Sequence, residues 1–368
     1  MPSKYKSRHM DVVNSIEIDF LGVETSKSGD AITLRYPDPL TGIFKVHVID
    51  GGYIETGEKI VAHIEKNYAT KRIDHVVLTH PDRDHANGLR AVLENCEVST
   101  LWMNRPWLYA DELIDRFSTY NSVEHLRRKL REIYSASAAL EDIALEKGIH
   151  ICEAFQGANI GIFTILTPSR SRYLDLVVES EKTPEAEHTF AESLEGIFKS
   201  VARAAANLAK SAWGDEYFPP SGTSSENEMS IVQFTTANQK KILLTGDTGR
   251  DGLTEAADFL LSMGYTLPGI SLFQVPHHGG RHNVSTAVLN RWLGEIADTM
   301  PENTNWSAVC SSAKADEDHP RKSVIRAMLH RGAHFAATEG RDLLWTEGTQ
   351  REGYSSIPQI SYPAEQEQ

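Results

Sequence analysis

Six consecutive residues, His80-Pro81-Asp82-Arg83-Asp84-His85, carry two imidazoles and two carboxylates. Groups this dense repel or compete for protons unless water or a cation gathers them, and nitrogen with oxygen donors suits divalent metal ions. The run directly follows Val76-Val77-Leu78, an apolar stretch that reads as a strand, and an abrupt strand end is a place where such side chains can converge. A polar surface turn is the alternative, since Pro and Asp are common turn formers. Four further clusters stand at the ends of strand-like stretches: Asp50-Gly51-Gly52, Gly246-Asp247-Thr248-Gly249, His277-His278-Gly279-Gly280 and Asp318-His319-Pro320. Each alone is an ordinary turn or polar loop. Together they are what strand tips from two sheets would present if aimed at one place.

The elements that must carry these tips are readable from alternation and β-branched content. Strands are expected at Ser15 to Phe20, Ala31 to Tyr36, Lys45 to Ile49, Asp74 to Leu78, Val98 to Met103, His150 to Cys152 and Ile160 to Leu166. Further strands are expected at Ile231 to Phe234, Lys241 to Thr245, Ile270 to Val275 and Ala308 to Ser311. Helices are expected at Glu58 to Asn67, Ala86 to Glu94, Glu112 to Tyr134, Glu141 to Lys147, Leu253 to Met263, Ser285 to Ile296 and Arg321 to Arg331. Two β-then-α halves result, loosely alike, in one domain spanning residues 1–368. The stretch from Arg170 to Ser225 changes character, with Phe190, Leu194, Ile197, Phe198, Val201, Ala205 and Leu208 on one helical face, and reads as an inserted helical hairpin or lid. The polar residues 354–368 read as a loose tail.

Composition sets bounds on function. A net charge of −14 discourages non-specific attraction to nucleic acid or to anionic membrane over the surface as a whole, while leaving room for a local basic groove. Cys96, Cys152 and Cys310 are odd in number and far apart, which indicates neither a disulfide framework nor a zinc knuckle and fits a reducing compartment. The first residues lack an apolar signal core, and no stretch approaches the roughly eighteen apolar residues of a membrane span, so the chain reads as soluble and cytoplasmic with no membrane partner.

The ordered motifs Asp50-Gly51-Gly52, Thr79-His80-Pro81-Asp82-Arg83-Asp84-His85, Glu226-Asn227-Glu228-Met229-Ser230-Ile231-Val232, Leu243-Leu244-Thr245-Gly246-Asp247, Val275-Pro276-His277-His278-Gly279 and His319-Pro320 resemble the metallo-β-lactamase superfamily. Within it, the pattern is most similar to the hydrolase domain of the ComEC family of DNA-uptake proteins. The resemblance implies an α+β fold, a four-layer αββα sandwich with a two-metal site at one edge. It implies that His80 and Asp82 bind one ion, Asp84 and His85 the other, that Asp247 bridges them, and that His278 completes the second ion's shell. Asp84, His277 and His319 become the candidate catalytic groups, the two histidines facing the substrate. Which of the three later histidines touches metal stays open. Asp50 is expected to orient an imidazole by hydrogen bonding.

Two departures from the wider superfamily exchange nitrogen for oxygen. Asp82 stands where many members have His, and Glu226-Asn227-Glu228 stands where they carry a histidine. Oxygen donors favour harder ions, so manganese and magnesium join zinc as candidates, two ions per chain. Two cations about 4 Å apart can activate a water as hydroxide and neutralise the charge that develops at phosphorus or at a carbonyl. The resemblance to the hydrolase domain of DNA-uptake proteins implies phosphodiester cleavage of DNA, here by a stand-alone soluble phosphodiesterase or nuclease. A local basic region could hold DNA: Arg127, Arg128, Lys129 and Arg131, with Trp102, Arg105, Trp107 and Tyr109 nearby, unless these are a solvated helix face and core aromatics. The same scaffold supports ester, thioester or lactone hydrolysis, or a metal-stabilised interaction module of weak activity. The 170–225 insertion could be held or released by a regulatory protein or a protease.

Overall fold

A computed structural model describes residues 14–183, 208–302 and 305–367. Sixteen strands run in chain order among them: β1 (Ile16–Phe20), β2 (Ile32–Pro37), β3 (Phe44–Ile49), β4 (Arg72–Val77), β5 (Glu97–Trp102), β6 (His150–Cys152), β7 (Asn159–Ile160), β8 (Phe163–Thr167), β9 (Leu208–Lys210), β10 (Val232–Ala237), β11 (Lys240–Leu244), β12 (Leu272–Gln274), β13 (Trp306–Cys310), β14 (Ala333–Ala337), β15 (Leu343–Glu347) and β16 (Glu365–Glu367). One seven-stranded sheet has the order β15-β1-β2-β3-β4-β5-β6 and a second the order β14-β13-β12-β11-β10-β8-β7.

Alternation decides how the sheets stack. Ile18, Leu34, Ile49 and Val77 of the first sheet meet Phe163, Ile165, Ile242, Leu244 and Val309 of the second in a shared core. The opposite faces are covered by helices. Val46, Val48, Ile73 and Val76 pack against Ile60 and Ile64 of helix Ile54–Tyr68 and against Leu89 and Val92 of helix Leu89–Asn95. On the other side Leu243, Phe273, Ala308 and Phe335 pack against Leu253 and Leu260 of helix Arg250–Ser262, Trp292 of helix Thr286–Leu293 and Met328 of helix Lys322–His330. Three apolar interfaces between four layers make an αββα sandwich, the expected architecture. Within it β3, β4, β5 and β6 are parallel neighbours, as are β11, β12, β13 and β14, so each sheet delivers several carboxyl ends to one edge.

Several expectations need correction. The single helix expected over 112–134 is broken, because Ser122 caps a new helix, Val123–Ile133, by accepting from the His125 amide at 3.4 Å. The strand expected at Ile160 to Leu166 is a hairpin, β7 with β8, turning through Gly161. β14 and β15 were not anticipated; β14, Ala-His-Phe-Ala-Ala, has the composition of a helix and is a strand because β13 pairs with it. Leu208 belongs to strand β9 rather than to a helical face, and the other residues of that face, from Phe190 to Ala205, lie outside the described residues. The tail is not loose: β16 pairs with β9, and the Glu367 carboxylate accepts from the Lys322 and Ser323 amides at 3.0 Å, capping a helix start.

Close backbone approach fixes the loop after β3 against the 80–88 segment. The Gly51 amide donates to the His85 carbonyl at 2.7 Å and the Gly88 amide to the Gly52 carbonyl at 3.1 Å. A Cβ on Gly88 would lie 1.9 Å from the Gly51 carbonyl oxygen, and one on Gly51 would lie 2.3 Å from the Leu89 nitrogen. Neither neighbour is a side-chain tip that could swing away. Gly88→Ala is therefore expected to lower stability by about 3 kcal/mol, the upper end of overpacking costs, measured as a fall in the denaturation midpoint with unchanged slope.

Candidate metal centre

Most of the expected site residues stand just past a strand's carboxyl end. Asp50 follows β3, His80 to His85 follow β4, Asp247 follows β11, and His277 and His278 follow β12. Asp50, His277 and His278 have φ of 57°, 48° and 53°, a left-handed backbone that costs a non-glycine residue on the order of 1 kcal/mol or more. The bend turns these side chains inward at the sheet edge.

The buried side chains converge on one oxygen. Asp247 Oδ2 lies 3.3 Å from His85 Nε2, 3.7 Å from His278 Nε2, 3.7 Å from His277 Nε2 and 3.9 Å from His80 Nε2. Asp84 Oδ2 lies 3.5 Å from His278 Nε2 and 3.9 Å from His85 Nε2. His80 Nε2, His85 Nε2, His278 Nε2 and Asp247 Oδ1 are buried without a hydrogen-bond partner. Donor atoms bound about 2.1 Å from a shared cation stand roughly 3 to 4 Å apart, so orphaned atoms at these separations fit a divalent ion. Two triads, His80-His85-Asp247 and Asp84-His85-His278, each bring ligand atoms within 4.8 Å of one another.

The far side of each imidazole is held. His85 Nδ1 is 2.7 Å from Asp50 Oδ2, and that carboxylate also accepts from the Thr79 amide at 2.8 Å and the Thr79 hydroxyl at 2.6 Å. His278 Nδ1 is 2.9 Å from the Ser311 carbonyl. His80 Nδ1 is 3.1 Å from the Thr79 hydroxyl. A nitrogen fixed on one side leaves Nε2 as the donor toward the centre.

Other expected residues stand differently. Asp82 Oδ2 is 3.8 Å from His80 Nε2, but Asp82 joins no triad among the described residues, and its Oδ1 accepts from Lys182 Nζ at 2.7 Å. The three residues offered in place of a histidine face elsewhere. Glu226 accepts from the Ser180 hydroxyl, while Glu228 pairs with Arg172 at 2.7 Å and accepts from the Gly252 amide at 2.9 Å. Asn227 Nδ2 is 3.3 Å from His277 Nδ1, which also contacts Asn283 Oδ1 at 2.9 Å. His319 sits at the rim, Nδ1 3.2 Å from Asp316 Oδ2, its ring 5.8 Å from that of His277. One participant went unforeseen. Asp30, fully buried before β2, forms triads with Asp247 and His278 and with Asp50 and His85; its Oδ2 accepts from Gln274 Nε2 at 2.8 Å and its Oδ1 has no partner. Its only sequence signal, Gly29-Asp30 ahead of an apolar run, is indistinguishable from a turn.

Three of the four helix cations in the expected DNA-gripping patch are ion-paired, and Arg128 is exposed. Arg127 pairs with Glu124, Lys129 with Glu132, and Arg131 with Glu141 and Asp142. Trp107 is buried with its Nε1 donating to Glu141 at 3.0 Å, and Tyr109 is buried with its hydroxyl on Glu153. These aromatics are core, because local carboxylates satisfy their polar tips.

Burial and mutual charge set the protonation of the cluster. Burial opposes a charge on His278, yet Asp247, Asp84 and Asp30 together hold its pKa up at about 9. Burial opposes His85 likewise, and Asp247, Asp50 and Asp84 raise it well above the ordinary range. Burial pushes the Asp30 carboxyl up to about 6. Burial, then His278 and His277, push His319 down to about 4. Without a cation, protons on His85 and His278 balance the buried carboxylates, whereas burial and then His85 hold the His80 imidazole below its ordinary range.

No protein-family model matches the chain, and no curated protein matches it. Among solved structures, the chain is similar to metallo-β-lactamase SMB-1 bound to 2-mercaptoethanesulfonate, at 10% identity and a TM-score of 0.29, covering 69% of this chain and 77% of that one. No helix among the described residues is long and apolar enough to cross a membrane.

Two tests follow from the geometry. Asp50→Asn keeps the shape but weakens the hold on His85, and should reduce affinity for manganese or zinc by about 10- to 100-fold in calorimetric titration. A cation must also displace the His278 proton, which is bound below a pH of about 9. Apparent affinity should therefore rise with pH between 7 and 9, about tenfold per unit for each proton displaced, and the binding enthalpy should vary with the buffer's ionisation enthalpy.

Proposed function

We propose that the chain is a metal-dependent hydrolase, and that it cleaves phosphodiesters, DNA being the substrate its motif order suggests. The observation that carries this reading is the set of buried, unpartnered donor atoms around Asp247, which hydrogen bonding leaves unexplained and a divalent cation would satisfy. His80, His85, His278, Asp84 and Asp247 would hold the metal, with Asp30 beside them; whether one ion or two is bound belongs to the proposal. When bound, the metal would supply an activated water and a counter-charge for the transition state.

The chain's own groups supply the rest. His277 is about one-third exposed and borders the cluster, so its Nε2 can meet a substrate oxygen from the solvent side while Nδ1 donates to Asn283 Oδ1. His319, at the same rim with its charged form disfavoured, can accept or donate a hydrogen bond as a neutral ring. Among the described residues Cys96 and Cys310 are buried and Cys152 is half-buried, and no cysteine joins a triad of potential metal ligands. The acidic net charge of −14 favours a second reading, hydrolysis of a small ester, thioester or lactone, whose substrate would meet no long-range repulsion.

Manganese-loaded protein is expected to cut DNA and a chromogenic phosphodiester, and Asp84→Ala and Asp247→Ala should each lose about a thousandfold or more in kcat/KM, on the order of 4 kcal/mol, while circular dichroism stays native. Rapid turnover of carboxyl esters with no cleavage of any phosphodiester would transfer the assignment to the second reading.

A further inference from the structure

Lys182 reaches the candidate centre from a hundred residues downstream, its Nζ 2.7 Å from Asp82 Oδ1. It stands at the end of a segment that is firmly anchored. Ser180 and Thr183 are buried, and the Lys182 amide donates to the Ser180 hydroxyl oxygen at 3.1 Å. That hydroxyl in turn donates to Glu226, and the Thr183 hydroxyl donates to the Ser180 carbonyl at 2.6 Å. About two turns earlier in the preceding helix, Arg170–Glu179, Arg172 grips the Glu228 carboxylate at 2.7 Å and its carbonyl at 3.0 Å. The backbone is fixed while the side chain is about half exposed (48%). A pinned base with a free flexible tip is how a lysine serves as a movable point charge.

Beside this tip opens a cavity of about 360 Å³ lined by Asp82, Arg83, Asp84, Tyr134, Ser135 and Lys182. Its two carboxylates face the candidate centre, and its two cations stand beside them. Asp82 cannot serve fully both a metal ion and an ammonium group. If it turns toward a cation at the centre, the Lys182 ammonium is left without its partner at the mouth of the cavity, next to Arg83. That is a demand for an anion, and it arises on a protein whose net charge is −14.

We infer that Lys182 is a substrate-positioning residue that selects an anionic phosphate group at the metal centre, its contact with Asp82 being the resting state of that tip. The inference rests on the hydrolase reading above and deepens it toward phosphate esters over neutral ones. The role assigned to Lys182 is to hold a non-bridging phosphate oxygen; it takes part in no proton transfer.

The test uses the full chain loaded with manganese and titrated calorimetrically with inorganic phosphate. Lys182→Gln should weaken phosphate binding about tenfold and Lys182→Arg by less than about threefold, the loss falling as ionic strength rises, with manganese stoichiometry the same in all three proteins. Lys182 is half exposed, and a thermal melt of each variant verifies folding. Equal phosphate affinity in wild type and Lys182→Gln overturns the inference alone, and so does an altered manganese stoichiometry in Lys182→Gln, which would make the lysine a balance for Asp82 only. Wild-type protein that binds no manganese overturns the inference together with the hydrolase reading.

Discussion

Asp247 is 2% exposed, and one of its carboxylate oxygens has four imidazole nitrogens within 4 Å while the other has no hydrogen-bond partner among the described residues. A buried carboxylate ordinarily sits among hydrogen-bond donors that neutralise it, and ion pairs out of water seldom return their desolvation cost. Here the donors stop short of contact. Most of the separations are too long for hydrogen bonds and suit atoms that share a cation. The rest of the site can be understood as what keeps these charges from escaping to solvent: Asp50 and Thr79 behind His85, the Ser311 carbonyl behind His278, and Gln274 holding Asp30.

The sandwich makes that confinement possible. Side chains from β3, β4, β11 and β12 can meet only because parallel strands end together at one edge of both sheets, a place where ligands gather in open α/β sheets generally. The first sheet reaches the edge through a loop that must touch the 80–88 segment backbone to backbone. Gly51 and Gly88 leave room for that touch. Stability and site geometry are coupled here, since the amide bond from Gly51 to the His85 carbonyl sits one residue from the Asp50 carboxylate that holds the same histidine.

Much of this was legible in the sequence, for physical reasons that also explain the failures. Alternating strands of the inner core, such as Ile16-Glu17-Ile18-Asp19-Phe20, announce themselves because one face meets the other sheet. β14 did not, because Ala-His-Phe-Ala-Ala owes its strand state to neighbours rather than to propensity. The dense run at 80–85 was visible because ligands close in sequence are close in space. Asp30 was invisible because nothing in its neighbourhood distinguishes a buried carboxylate from a turn residue, and only the crossing of distant chain segments makes it part of the cluster. Glu226 and Glu228 looked like ligands because they fall at the right place in the motif order. Their carboxylates instead meet Ser180 and Arg172, partners that no local pattern could have named.

That substitution changes what the 170–183 segment means. The Glu226 and Glu228 carboxylates face away from the candidate centre and tie down the helix Arg170–Glu179 and the turn after it. The same four residues from Ser225 to Glu228 thus face the segment on one side and, through Asn227, touch His277 on the other. The segment tied down in this way ends at Lys182, whose ammonium meets the Asp82 carboxylate at 2.7 Å. Lys182 and Arg83 thus stand beside Asp82 and Asp84 on a chain whose net charge is −14, so any attraction for an anion there would be local rather than a property of the whole surface.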